Sequence, residues 1–386
     1  LTDHPISSAS EPVVERVTRR AHWRDFYRVR RTVYRNDPAA VVPLRSMEAL
    51  QLDVHRHPFY LHASREAFVC YRDGEPVGRI AAIKDDLHNE YYRDRLGFFG
   101  FFECTNDQHV ANALIDAAST WLADRGCTSL RGPVNPSMKS DFGVLVEGHS
   151  IPPYVMMGHS PLYYDQLLRQ AGCSVAKRFF AFRFQTDEDS DEGDAKWRKI
   201  DRTIANIKKR YPKLKFRSVD QSNYEATLRD INELGNQVRR LNYGFVPLTD
   251  AELDFMIAQM RRIIRFDMIH AAYWDDQLVG FIVNIPDLNW ALRKSRGKWD
   301  WLRMIQLAYW IKKTPRTRVI AIGVHEDFRK KGIAIVLIKS LYDCKDEFEQ
   351  WEFSWVVEDN VQSIGVIGAT MPLIRHKTYQ LYEKPI

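Results

Sequence analysis

The chain has 386 residues, a net charge of +6, and 27% charged against 45% hydrophobic residues. That composition is globular, and the length exceeds what one core normally supports, so two domains are expected. No apolar run approaches the roughly 18 residues that cross a bilayer and the polar N-terminus lacks a secretory pattern, so the sequence excludes an integral membrane protein and points to the cytoplasm.

In chain order, residues 13–17 read as a strand, 24–34 as a helix and 67–83 as a hairpin turning at Asp73-Gly74. Residues 96–103 form an apolar strand, 109–122 a helical pattern and 129–134 another strand. His55, His57 and His62 lie around Pro58 without acidic partners at metal spacing, so a polar loop and no metal site is expected there. Cys70, Cys104, Cys127, Cys173 and Cys344 are odd in number, far apart and never C-x-x-C, which argues against disulfides or structural zinc. The acidic run 187–194 cannot bury apolar area, so residues 187–197 are expected to link a first domain, 1–186, to a second, 198–386. The basic stretch after it, with Lys208-Lys209-Arg210 at its centre, reads as a solvated helix face.

The second half repeats the first half's order of elements, although with little residue identity. Residues 214–219 read as a strand, 224–240 and 249–264 as helices, and 268–283 as a hairpin turning at Asp275-Asp276. An insertion, 286–316, carries eight Arg and Lys against two Asp, and four of the ten tryptophans. Within it Trp301, Met304, Ile305, Ala308 and Ile311 share one helical face, with Arg303, Lys312 and Lys313 beside them, which is the profile of an interfacial helix. Next, Val319, Ile320, Ile322 and Val324 read as a buried strand, while Ile335, Leu337, Ile338 and Leu341 recur at helical spacing. The loop between them can aim unpaired N–H groups at an anion. Arg329, Lys330 and Lys331 supply countercharge, and the small Gly332 and Ala334 let phosphate oxygens approach the main chain. A strand over 351–360, a short helix near Asn360 and a last strand at Tyr379 to Tyr382 complete the order.

The segment from Arg329 to Ala334 fits the pattern [QR]-x-x-G-x-[GA], and with its strand, helix and following strand it resembles the GNAT (Gcn5-related N-acetyltransferase) superfamily. Longer phrases, among them Val33-Tyr-Arg-Asn-Asp-Pro38, Gly97-Phe-Phe-Gly-Phe-Phe-Glu103, Arg131-Gly-Pro-Val-Asn-Pro136 and Ser354-Trp-Val-Val-Glu-Asp-Asn360, are similar to those of bacterial tandem-GNAT proteins over nearly the whole chain. The resemblance implies an α/β (α+β) class with two tandem GNAT folds, each a twisted mixed sheet flanked by helices. It extends to bacterial ceramide synthases, which N-acylate a sphingoid base from a long-chain acyl-CoA. Aligning Leu114 with Leu337 sets Asn106 opposite Arg329 and His109 opposite Gly332, so the first copy lacks the basic side chains and the glycine. Only the second copy is then expected to hold coenzyme A.

Such acyl transfer is direct attack of a neutral amine on a thioester, which needs positioning, proton removal and stabilisation of an oxyanion, but no covalent nucleophile and no metal. By the resemblance, the backbone around Val324 contacts the pantetheine where the two strands splay, Arg329, Lys330, Lys331, Gly332, Ile333 and Ala334 hold the pyrophosphate, and Asn360 closes the coenzyme site. Glu358 and His325 lie near that splay as candidate bases. Many family members carry a tyrosine acid where this chain has Ile367, and Tyr379 or Tyr382 on the last strand are the substitutes. The expected partners are acyl-CoA and an amine acceptor, with peripheral contact to the inner face of the membrane through 286–316 and no nucleic acid. A small-molecule acetyltransferase, an aminoacyl-tRNA-dependent (Fem-like) transferase and a noncatalytic acyl-CoA sensor remain as alternatives. Acyl length, acceptor and oligomeric state stay open.

Overall fold

The computed structural model describes residues 10–185, 191–261, 264–295, 299–344, 346–360, 365, 368 and 373–386. Contacts divide the chain into two units: residues up to Arg178 with Tyr379–Ile386, and Phe179–Thr378. The expected boundary after residue 186 therefore moves back to Arg178, and the last strand, expected to finish the second copy, belongs from Tyr379 onward to the first unit.

Unit 1 comprises β1 (Val13–Arg16), α1 (Arg20–Val33), α2 (Arg45–Gln51), β2 (Ala63–Arg72), β3 (Glu75–Asp85), α3 (Asp86–Tyr92), β4 (Leu96–Cys104), α4 (Gln108–Ala123), β5 (Ser129–Gly132), β6 (Val134–Asn135), β7 (Asp141–Phe142), β8 (Val144–Glu147), α5 (Tyr164–Gln170) and the start of β9 (Ser174–Gln185). β1 to β4 pair antiparallel in sequence order, and β4 pairs parallel with β5. The sheet ends with Tyr382–Pro385 of the final strand, antiparallel on β5. Asp73 and Gly74, at φ 51° and 77°, make the tight hairpin turn expected of that dipeptide.

Unit 2 continues with α6 (Asp191–Arg210), β10 (Leu214–Ser218), α7 (Tyr224–Arg239), α8 (Asp250–Met260), β11 (Ile269–Trp274), β12 (Gln277–Pro286), α9 (Leu288–Lys294), α10 (Asp300–Trp310), β13 (Arg316–Val324), α11 (Ile333–Tyr342), β14 (Gln350–Val357) and β15 (Ile374–Pro385), the last split between the units. Again four strands pair antiparallel, β10 to β13, and the fourth runs parallel to β14. Here the terminal strand is Phe179–Gln185 of β9, antiparallel on β14. α6 begins inside the acidic segment read as a linker, because Trp197, Ile200, Ile204 and Ile207 recur at helical spacing and pack on the unit's core. The short helix expected near Asn360 falls largely outside the described residues.

Each core lies between one sheet face and the helix that follows the fourth strand. In unit 1, Ile80, Ala82 and Phe99 meet Val110, Leu114, Ile115 and Leu122 of α4. In unit 2, Ile282, Val319, Trp351 and Phe353 meet Ile333, Leu337, Ile338 and Leu341 of α11. Each such aliphatic side chain contributes roughly 1.5–3 kcal/mol on burial. The two helices approach equivalent glycines: a Cβ added at Gly78 would meet Leu114 at 2.7 Å and Val110 at 2.8 Å, and one at Gly280 would meet Ile333 at 2.8 Å and Leu337 at 3.4 Å. Val110 and Leu114 thus occupy the places of Ile333 and Leu337, the register expected from the sequence.

Candidate active site in the second unit

β13 and β14 run side by side only from Arg316 with Gln350 to Val319 with Phe353. Past Val319 the pairing of β13 with β12 skips a residue, the kink of a β-bulge at Ile320, and the β14-facing edge of Ile320–Val324 meets no strand among the described residues. An extended ligand can add its own hydrogen bonds along such an edge. Because the strands are parallel, Val324 and Val357 end at the same side of the sheet, and His325 follows the first as Glu358 and Asn360 follow the second.

Beyond Val324 a 3-10 turn, Glu326–Lys331, leads into α11 through Gly332, which takes a left-handed φ of 78°. Besides that φ, a Cβ at Gly332 would strike the Cδ1 of Ile207 at 2.5 Å, so the position accepts no larger residue without rearrangement. Gly332 offers no capping side chain. The first-turn N–H groups of Ile333 and Ala334 consequently meet no protein acceptor among the described residues, whereas Ile335 N–H already bonds the Gly332 carbonyl. Arg329 and Lys330 are exposed beside these donors. Lys331 is drawn back, its Nζ donating to the Asp327 carbonyl at 2.9 Å and resting 4.7 Å from the Phe328 ring centre. Two cations rather than three therefore face outward. The contact of Ile207 with Gly332 also brings the end of α6, Lys208 to Arg210, to the same side.

The root of the splay holds a feature that motif reading missed. Val319, Trp351 and Phe353 face the α11 core, so the alternation of a strand sends Arg318, Glu352 and Ser354 to the opposite face. All three are buried, Glu352 completely. Arg318 Nε donates to Ser354 Oγ at 3.0 Å, Ser354 Oγ donates to Glu352 Oε1 at 2.8 Å, and His376 Nε2 lies 3.8 Å from Glu352 Oε2. Glu352 Oε2 is buried without a hydrogen bond among the described residues. Burial pushes the Glu352 carboxyl up to about 7 despite the nearby Arg318. Burial, reinforced by Lys377, holds His376 down at about 3, so its ring is neutral. A carboxyl near neutrality, with one oxygen held and the other unbonded, can accept a proton from an amine brought to it. The available signal was the alternation itself: polar residues at every second position of a central strand, opposite a basic residue in register.

The expected catalytic residues are dispersed. His325 Nδ1 accepts from Asp327 N–H and caps the 3-10 turn. Glu358 is half-buried just past β14, and Asn360 N–H bonds the Val357 carbonyl. Tyr379 and Tyr382 are fully buried in unit 1, where Tyr379 donates to the Gly158 carbonyl at 3.1 Å and Tyr382 to Gln380 at 2.8 Å. Ile367 lies outside the described residues. Among the described residues no cluster of His, Cys, Asp and Glu is arranged to hold a metal; His57 caps a turn and His62 pairs with Asp85.

The model of the Acetyltransferase (GNAT) family matches residues 240–371. The chain is 29% identical over 360 residues to "Bacterial ceramide synthase" of Caulobacter vibrioides, covering 91% of each chain. It is 28% identical over 366 residues to "Protein YghO" of Escherichia coli, covering 92% of this chain and 90% of that one. Among solved structures, a tandem GNAT protein from the clavulanic acid biosynthesis pathway superposes with a TM-score of 0.55 at 11% identity, over 97% of this chain and 98% of the other. The second unit thus carries a GNAT acetyltransferase domain with a helix start open to an anion, the duplicated strand order is that of a tandem GNAT fold, and the chain is an enzyme of the N-acyltransferase class.

Proposed function

We propose that the enzyme transfers the acyl group of a long-chain acyl-CoA to the primary amine of a sphingoid-type lipid, and that unit 2 alone holds the thioester. The observation that carries this reading is the uncapped, left-handed entry to α11 at the mouth of the splay. The Ile333 and Ala334 amides, with Arg329, Lys330 and Gly332, suit the pyrophosphate. The β13 edge from Val324 back to Ile320 suits the amide groups of the pantetheine arm, with Asn360 across the mouth. The named ceramide synthase, similar over 91% of both chains, favours a lipid amine over a small one.

The acyl carbon then arrives near Val319 and Phe353, beside Ser354. The amine nitrogen bonds to the thioester carbon, the C–S bond breaks, and coenzyme A leaves as the thiol or thiolate. An alkylamine holds its proton up to a pKa of about 10.4, so a base must take it. We assign that role to Glu352, with Ser354 and Arg318 holding its other oxygen. Glu358 and His325 sit at the coenzyme end of the strands and Tyr379 in the other unit, which makes each a weaker candidate. The reaction is that of a cytoplasmic enzyme.

The test is release of free thiol from palmitoyl-CoA with sphinganine. Turnover is expected with this pair and should fall about 100-fold or more in Glu352→Gln. Faster turnover of acetyl-CoA with a small amine would overturn the lipid reading, and turnover with aminoacyl-tRNA or none with any amine would overturn acyl-CoA transfer itself.

A further inference from the structure

The insertion between β12 and β13 is rooted beside Glu352. Pro286 pairs with Thr317 and Ile285 with Arg318, one cross-strand step from the Arg318–Glu352 pair. Asp287, fully buried, caps α9 through Asn289 N–H at 3.1 Å, and its other oxygen lies 3.2 Å from Arg316. α9 turns Leu288, Ala291 and Leu292 inward. α10 packs on it through Trp290 and Trp310, ring centres 6.0 Å apart, and buries Arg303.

What α10 leaves outward is the reverse of a soluble surface. Trp301 is 64% exposed, Met304 55%, Ile305 63% and Tyr309 54%, and Trp299 just before the helix is 65% exposed. Their spacing keeps them on one face, and each indole or phenol ring carries on the order of 150–250 Å². Together they approach the several hundred Å² beyond which an exposed apolar patch marks an interaction site. Lys312, just past the helix, is exposed, and Lys313 lies 4.3 Å from the Tyr309 ring centre. The only carboxylate in α10 is Asp300, in its first turn.

We propose that α10 lies in the headgroup layer of an anionic lipid surface, with Trp299, Trp301, Met304, Ile305 and Tyr309 submerged and Lys312 and Lys313 at the phosphates. Aromatic rings at the boundary with lysines beside them match that layer chemically. A second copy on the same face would set like charges against each other, which disfavours it as the occupant. In one respect the inference rests on the acyl-transfer reading: the docked helix would let a lipid amine pass from the bilayer to the splay at whose root α9 begins.

The test is co-sedimentation of the full chain with vesicles of phosphatidylcholine, with and without phosphatidylglycerol, for the wild type and for two double variants, Trp301→Glu with Ile305→Glu and Lys312→Glu with Lys313→Glu. The wild type should bind the anionic vesicles, and the apparent partition coefficient should fall at least about tenfold in each variant. Acyl-CoA binding should be retained, which shows that the variants fold. Absence of vesicle binding, binding unchanged in both variants, or a concentration-dependent dimer that the Trp301/Ile305 variant abolishes would each overturn the proposal. Vesicle binding without turnover of any lipid amine would leave the docking standing and count against the acyl-transfer reading alone.

Discussion

Two helices of this molecule follow the same strand, pack on the same glycine and keep the same core register, yet their first turns are opposites. In unit 1, α4 winds through the place that Gly332 holds in unit 2 and begins two residues earlier in that register. Asp107 caps it, accepting from His109 N–H at 3.0 Å and Val110 N–H at 3.3 Å while pairing with Arg72. The chain's own carboxylate therefore sits where α11 leaves donors open. The splay differs in the same sense. Unit 1's β4 and β5 part after Phe98 and Arg131, but Phe101 N–H donates to Asn135 Oδ1 at 2.6 Å, and a Cβ at Gly100 would lie 1.9 Å from the Val134 carbonyl. Where unit 2 has Arg318 and Glu352 at the root, unit 1 has Phe98 and Arg131, and Arg131 is paired with Glu383 at 2.7 Å. The lesson is that one duplicated frame can leave its polar edges open, as a ligand site requires, or satisfy them internally, as a closed scaffold does.

The comparison breaks most sharply at Glu352. Glu352→Gln should lower kcat by roughly 10²–10⁴ with little change in KM. In the wild type kcat should rise with pH and level off above about 7, the value to which burial brings this carboxyl, and the variant should lose that inflection. Stability separates catalysis from structure. With a folded value of about 7 against an ordinary 4.5, the native chain holds the proton more tightly, so this group's contribution is complete below about 4.5 and lost as pH rises through 7. The difference amounts to about 3 kcal/mol, so denaturant titration at pH 8 should find Glu352→Gln at least as stable as the wild type.

Unit 1 should answer in stability instead. Its buried charge is a closed network: Glu48 accepts from Arg79 at 2.7 Å and Arg30 at 3.4 Å, while Glu103 accepts from Tyr164 at 2.8 Å. Glu48→Ala should cost about 3–5 kcal/mol by leaving buried Arg79 underpaired, with acyl-CoA affinity of the folded fraction unchanged. Converting one helix start toward the other gives a smaller, opposite pattern. Lys330 occupies the register position of Asp107, so Lys330→Asp should weaken acyl-CoA binding by about 100-fold at low salt while the fold persists. The reciprocal Asp107→Ala should cost about 0.5–2 kcal/mol of stability through the lost cap and leave acyl-CoA affinity as it was.

Most of the frame was legible because hydrophobic period and turn chemistry are local. The alternation of Val319 to Val324, the helical spacing from Ile335 and the Asp73-Gly74 turn each announce their element in the sequence. The exchange of terminal strands was not, since β9 and β15 are single continuous runs and nothing local says at which residue their contacts change unit. Glu352 escaped for a related reason. Between Trp351 and Phe353 it looks like the polar side of a half-buried strand, and only tertiary packing on both faces turns it into a buried acid near neutrality. The amphipathic character of α10 was visible, but which face α9 covers depends on packing.

The central claim is that one acyl-CoA binds per chain, at the α11 helix start. Calorimetric titration with a non-hydrolysable thioether analogue of palmitoyl-CoA counts those sites directly. The account predicts a stoichiometry of one for the wild type and for Asp107→Ala, and binding weakened about 100-fold in Lys330→Asp. A stoichiometry of two, or a single site that survives Lys330→Asp and disappears with Asp107→Ala, would contradict it.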